Sequence, residues 1–260
     1  MISVRSLRVV YKPRGIEALR EITLELPVNN VTCIIGPNAS GKTTLLKAIA
    51  GILNHEGAIY IDGREVRSNI RYLRKILSYA GNMGSSVDYL GARVIDILLT
   101  SRYPVAKGFS DTKEDVEEVH RVSKILGIEH LLHRKISELS SGELQRVVIA
   151  SALVKNPRVL LLDEPDTHLD VAGKSWLSKY LEVLSKTLTI VMSTHDVVFA
   201  CHTCNYFVVL SSGRVLYSGW RAELVRNKEY VEKAYGMPFI NVEVNNKSIL
   251  IPLYESISMS

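Results

Sequence analysis

The stretch Gly36-Pro37-Asn38-Ala39-Ser40-Gly41-Lys42-Thr43 constrains the fold of this chain more than any other. It fits the pattern G-x-x-x-x-G-K-[ST] in full, and its flanks fit as well. Before it runs an apolar, β-branched segment, residues 31–35, of the kind buried on both faces of a parallel sheet. After it, residues 42–52 read as a helix. Strand, glycine loop and helix in that order make a cradle for phosphate. The glycines let the backbone curl so that several N–H groups face one anion, and the helix N-terminus adds positive potential. Lys42 supplies a mobile cation for the outer phosphates, and the Thr43 hydroxyl is one ligand for Mg2+.

The rest of the chain alternates strand and helix patterns, which predicts an α/β domain with a largely parallel sheet. Residues 4–11 and 22–26 differ: apolar and polar positions alternate there, as in an antiparallel ribbon. Residues 58–61 read as a further strand closed by Asp62-Gly63. From about 94 to 156 the pattern is mostly helical, with one helix opened by Asp111 or Thr112 as N-cap and ended by Gly127. The α/β alternation then resumes, with strands at 159–162, 188–192, 207–210 and 215–217 and helices at 172–184 and 197–201. A helical segment is thus inserted into an α/β core. The tail from Met237 reads as a short β addition with Asn245-Asn246 as its turn.

Composition excludes several classes. The chain has 260 residues, 47% hydrophobic and 23% charged, which argues against disorder. Its longest apolar run, 147–154, falls far short of the roughly 18–20 residues that span a bilayer. No charged segment followed by an apolar one marks a signal peptide. The net charge of +5 comes from scattered lysines and arginines with no run of four, which gives no reason to expect nucleic acid as a partner. Three cysteines, Cys33, Cys201 and Cys204, in a chain without a signal point to a reducing compartment. The isolated C-x-x-C of Cys201 and Cys204 lacks the second pair a metal site would need.

Two further motifs carry chemistry. A buried strand pattern ends in Asp163-Glu164-Pro165, and carboxylates at the mouth of a parallel strand lie where open α/β sheets bind ligands. Asp163 there would hold Mg2+, and Glu164 would act as general base toward an attacking water. Leu139-Ser140-Ser141-Gly142-Glu143 stands just before a helix, where a hydroxyl and backbone N–H groups suit a phosphate.

Taken together, these three motifs resemble the ABC ATPase family, with Ser140 to Glu143 in the place of its signature motif. Ser141 replaces a glycine of that motif and Glu143 a glutamine. Asp166-Thr167-His168-Leu169-Asp170 is similar to the family's D-loop, and His195, after a strand, to its switch histidine. Tyr11 matches the aromatic residue that stacks on adenine. One motif departs: the family's glutamine before the helical segment is absent, Gln145 being the only glutamine in the chain, and Asn82 stands in its region. The segment Arg102-Tyr103-Pro104 resembles ATPases of iron–siderophore, haem and cobalamin importers.

The resemblance implies a P-loop NTPase (RecA-like) core with an antiparallel β subdomain and an inserted α-helical subdomain, at about 83–157 of an ATPase domain spanning 1–236, followed by a β-like extension at 237–260. It implies ATP and Mg2+ as cofactors. Nucleotide would be held by Tyr11, Gly36, Pro37, Asn38, Ala39, Ser40, Gly41, Lys42, Thr43 and Thr44 of one copy. Ser140, Ser141, Gly142, Glu143 and Asp170 of a second copy would complete the site. Thr43, Asp163 and Asn82 would hold the metal, and Glu164, His195, Lys42 and Asn82 would carry hydrolysis. The implied partners are the second copy in a homodimer, polytopic permease subunits docked near 82–103, and a substrate-binding protein, with the chain on the cytoplasmic face of the membrane. A soluble ATPase of the iron–sulfur assembly type and a slow nucleotide-dependent clamp are the alternatives. Co-purification with a polytopic membrane protein separates the first from a transporter, and Mg2+-dependent phosphate release separates the second from an enzyme.

Overall fold

The computed structural model of the chain describes residues 1–12, 15–81, 91–106, 111–244 and 247–254. Asn82, the apolar positions Met83, Val87, Tyr89 and Leu90, and the Asn245-Asn246 pair lie outside the described residues.

A six-stranded sheet forms the centre, in the order β10-β9-β3-β8-β7-β6. Here β3 is Val31–Ile35, β6 Leu77–Ala80, β7 Val159–Asp163, β8 Thr189–Thr194, β9 Tyr206–Ser211 and β10 Arg214–Trp220. Neighbours from β9 to β6 run parallel, and β10 adds an antiparallel edge. The apolar runs of these strands are continuous because both sheet faces are covered. Successive side chains point to opposite faces. Cys33, Ile35, Leu160, Leu162, Ile190, Met192, Phe207 and Val209 accordingly enter one core, and Ile34, Leu161, Val191, Val208 and Leu210 the other.

The second core is closed by α1 (Lys42–Ile49) and by an antiparallel sheet of order β2-β1-β4-β5. Its strands are β1 (Ile2–Tyr11), β2 (Ile16–Leu26), β4 (Glu56–Ile61) and β5 (Arg64–Glu65). In β1 strict alternation is broken: Val4, Leu7 and Val9 are buried and Arg5, Ser6 and Arg8 exposed, with Ser6 at φ 46° where the pairing with β2 shifts register. Helix α1 ends earlier than the reading to residue 52, because Gly51 takes φ 68° and turns the chain. Helix α2 (Ile70–Ile76) was not expected; it buries only Leu73, too little to show a periodic pattern.

The first core is covered by α3 (Val94–Ser101), α4 (Lys113–Ile125), α5 (Ser141–Leu153) and α6 (Val171–Leu184). The N-cap of α4 is Thr112, whose hydroxyl and Asp115 form a reciprocal capping box. Buried Arg102, at the end of α3, donates from Nε to Asp115 Oδ1 at 2.6 Å and also to the Val154 carbonyl after α5. One guanidinium thus ties three helices of the inserted segment together.

After β8 come α7 (Val197–Thr203), α8 (Arg221–Arg226) and α9 (Glu229–Tyr235). The tail is the expected β addition: β11 (Phe239–Val244) pairs antiparallel with β12 (Lys247–Pro252) and packs on α7 and α8 through Ile249 and Leu250. The cysteines need correction. Cys204 does not act with Cys201 but is joined by a disulfide to Cys33 on β3, and Cys201 is a buried free thiol. The pairing joins residues 171 apart in sequence, which spacing alone could not show. Three reduced cysteines were the wrong expectation. Among the described residues, no helix is long and apolar enough to cross a membrane.

Candidate functional site

The glycine loop lies between β3 and α1 at the C-terminal edge of the parallel strands. A side chain at Gly36 would meet the Leu210 carbonyl at 2.1 Å, and one at Gly41, whose φ is 107°, would meet the Ala18 carbonyl at 2.8 Å. Only glycine fits either place. Lys42 is 5% exposed and curls back over its own loop, donating to the carbonyls of Gly36 (2.9 Å) and Pro37 (3.0 Å). Burial lowers the pKa of its ammonium, and Glu164 and Asp163 oppose that shift. Those carbonyls hold the charge where a phosphate would attract it more strongly.

Asp163 is the hub of the metal side. Its Oδ1 accepts from Thr43 (3.0 Å) and Ser193 (2.6 Å), and its Oδ2 from the Tyr79 hydroxyl (3.0 Å). Burial, then the neighbouring Asp163 carboxylate, push the Tyr79 hydroxyl well above its ordinary pKa, so it remains a donor. Hydroxyl and carboxylate oxygens side by side are the hard donors that Mg2+ takes. Among the described residues no group of three His, Cys, Asp or Glu could hold a metal alone. An ion here would therefore share its shell with phosphate oxygens and water, as Mg2+ sites do.

Glu164 follows at φ 50°, a left-handed conformation unusual for glutamate. Its N–H donates to the Ser193 hydroxyl (3.0 Å) and carbonyl (3.1 Å), which holds the turn. This aims the carboxylate back at the loop, with Oε1 3.8 Å from both Lys42 Nζ and His195 Nδ1. Strained backbone at a residue expected to do chemistry fits a conformation retained for function. The three groups converge from α1, β7 and the loop after β8.

Tyr11 stands at the rim, 40% exposed, its hydroxyl 3.1 Å from Thr44 Oγ1. It shares a cleft of about 490 Å³ with residues 38–44, Glu164, Ser212 and Gly213. Ser140 to Glu143 do not reach this cleft. They border a separate one of about 540 Å³ with Arg146, His168, Leu169 and Asp170. Ser140 is the N-cap of α5 and Ser141 its first helical residue, so the serine standing for a glycine needs no left-handed backbone. The Ser140 hydroxyl donates to Glu143 Oε2 at 2.8 Å and accepts from the Glu143 N–H at 3.3 Å. Asp170 instead caps α6, accepting from the Gly173 N–H at 2.7 Å.

Sequence reasoning missed Tyr79, Ser193 and Tyr235. Tyr79 and Ser193 touch Asp163 across β-strands far apart in the chain. Tyr235, from α9, bonds both the Gly36 N–H and the His195 carbonyl. No local pattern marks any of them. Gln145, to which the sequence reading gave no role, borders a third cleft with Thr43, Asp163 and Glu164.

The chain was also compared with known proteins. A family model described as ABC transporter matches residues 19–167. An uncharacterized ABC transporter ATP-binding protein of Methanocaldococcus jannaschii is 33% identical over 97% of this chain and 98% of its own. The ferric enterobactin transport ATP-binding protein FepC of Escherichia coli is 30% identical over 89% of this chain and 87% of its own. The vitamin B12 import ATP-binding protein BtuD of Vibrio cholerae is 31% identical over 96% and 99%. Among solved structures, a dimeric ATP-binding cassette in a post-hydrolysis state with ADP and phosphate superposes with a TM-score of 0.75 at 25% identity, covering 85% of this chain and 98% of its own.

Proposed function

Because the chain belongs to the ABC transporter family as an ATP-binding subunit, we propose that it hydrolyses ATP as one half of a homodimer and drives import through separate permease subunits. The observation that carries hydrolysis is Glu164, with Lys42 and His195 each 3.8 Å from its Oε1, beside the Thr43–Asp163 pair. In this reading the adenine lies on Tyr11 and the phosphates on residues 36–44. Lys42 leaves its loop carbonyls for the outer phosphates. Glu164 takes a proton from the attacking water, and His195 holds the terminal phosphate. Thr43 and Asp163, with Asn82, would hold Mg2+, which would supply positive charge to the phosphates. The Ser140 to Glu143 segment and Asp170 serve the nucleotide of the partner copy, which explains why one chain keeps them in a cleft apart.

The dimer rests on the likeness to a dimeric cassette, and import on relatives named for ferric enterobactin and vitamin B12. An iron–siderophore, haem or cobalamin type of substrate follows, with a substrate-binding protein delivering it. The permease would dock on residues 82–103 at the cytoplasmic membrane face, where Tyr103 is 67% exposed. The division into an ATPase domain at 1–236, a helical subdomain at 83–157 and an extension from 237 belongs to the same proposal.

Glu164→Gln tests the reading. The variant keeps ATP binding, loses phosphate release by about 10²-fold or more, and accumulates an ATP-bound dimer on size-exclusion chromatography. Turnover at the wild-type rate would remove Glu164 as the base.

A further inference from the structure

The C-terminal segment reaches the site through the Tyr235 hydroxyl. Tyr235 is the last residue of α9, and Gly236, at φ 68°, turns the chain just after it. Its hydroxyl accepts from the N–H of Gly36, the first residue of the phosphate loop, at 3.0 Å. It also donates to the carbonyl of His195, in the loop after β8, at 3.3 Å. One oxygen therefore spans the two loops that must close on the same phosphate. Its only proton and one of its lone pairs are both engaged.

The tyrosine is itself held from behind. Its ring packs edge-on against Phe239, with centroids 5.8 Å apart, and Phe239 opens β11 and is 2% exposed. The Phe239 N–H donates to Glu232 Oε1 at 2.9 Å, and Lys228 Nζ donates to the Phe239 carbonyl at 2.6 Å, so the N-cap and the middle of α9 are fastened to that strand. The other strand of the hairpin, β12, lies against α7, the helix that starts directly after His195-Asp196. The hairpin thus backs the bridging tyrosine and the helix that follows His195.

We propose that Tyr235 is a positioning residue for hydrolysis, setting the spacing between the phosphate loop and the His195 loop, and that the C-terminal hairpin serves as its mount. The inference rests on the functional reading above. Tyr235→Phe removes the bridge and keeps the ring on Phe239. In the full chain it lowers kcat by about tenfold, within what a small misplacement of reacting groups costs, with KM for ATP within about twofold. Without nucleotide, hydrogen–deuterium exchange speeds up in peptides covering Gly36 and His195 and stays unchanged in the α5 peptide.

Wild-type kcat in Tyr235→Phe, a loss confined to KM, or unchanged exchange in both loops would each overturn the inference. A wild-type chain that releases no phosphate from Mg2+-ATP would instead overturn the functional reading on which it stands.

Discussion

The two faces proposed to bind phosphate are built to different degrees. Around the phosphate loop, Asp163 receives three hydroxyl hydrogen bonds, Lys42 is buried, and Glu164 is locked by Ser193. Around Ser140 the site is a helix cap whose own carboxylate, Glu143, already uses the hydroxyl, and the nearby Asp170 is engaged in capping α6. The Ser140 N–H and hydroxyl hold the Glu143 carboxylate below its usual pKa range, so it is charged at neutral pH. The first face is preorganised for a polyphosphate. The second must exchange a carboxylate for a phosphate and gains only when another molecule brings one. A chain with one finished and one unfinished face is suited to meeting its copy head to tail through nucleotide.

Three substitutions break or sharpen this contrast. Lys42→Ala strikes the finished face and should reduce turnover by about 10²–10³-fold, as loss of a preorganised charge does, with weakened ATP binding by isothermal calorimetry. Unchanged affinity would mean the buried lysine serves its loop and not a ligand. Ser140→Ala strikes the other face. It also removes a cap, at about 1 kcal/mol of stability, yet a single copy should bind ATP as before, while turnover falls about tenfold. If the monomer's own affinity dropped, the two faces would not be separate. Glu143→Gln has the smallest effect: with the competing charge gone, the ATP-dependent dimer should tighten by a few-fold in sedimentation experiments, and a weaker dimer would show that the carboxylate helps.

How much of this was legible depends on the range of the interaction. The cradle and the Asp163-Glu164 strand end are local patterns of spacing, and each lies where those patterns put it, whereas the alternation read in β1 is broken by a register shift between Val4 and Leu7. Pairing partners extend strands beyond their local pattern: β2 begins at Ile16, about six residues before the segment read at 22–26, since Tyr11 of β1 pairs with Ile16. Helix α9 was invisible because only Val231 and Ala234 of its residues are buried, too few to show a period. The contacts of Tyr79, Ser193 and Tyr235 depend on strand order, which sequence separation does not reveal. The left-handed Glu164 also left no signal, since nothing in Asp-Glu-Pro requires it.

The sulfur bridge between Cys33 and Cys204 makes the middle of the chain a closed ring with two tails. Every group expected to touch nucleotide, save Tyr11, lies on that ring: the cradle, the acidic pair, the serine-capped helix and His195. Even when denatured, the ring cannot stretch to its full contour, and in the chain-entropy picture that confinement favours the folded form by about 5 kcal/mol. The tails have no such restraint. They still reach the site from outside the ring, Tyr11 from the N-terminal ribbon and Tyr235 from its mount on the C-terminal hairpin, so trimming either tail alters the site although the ring itself stays closed.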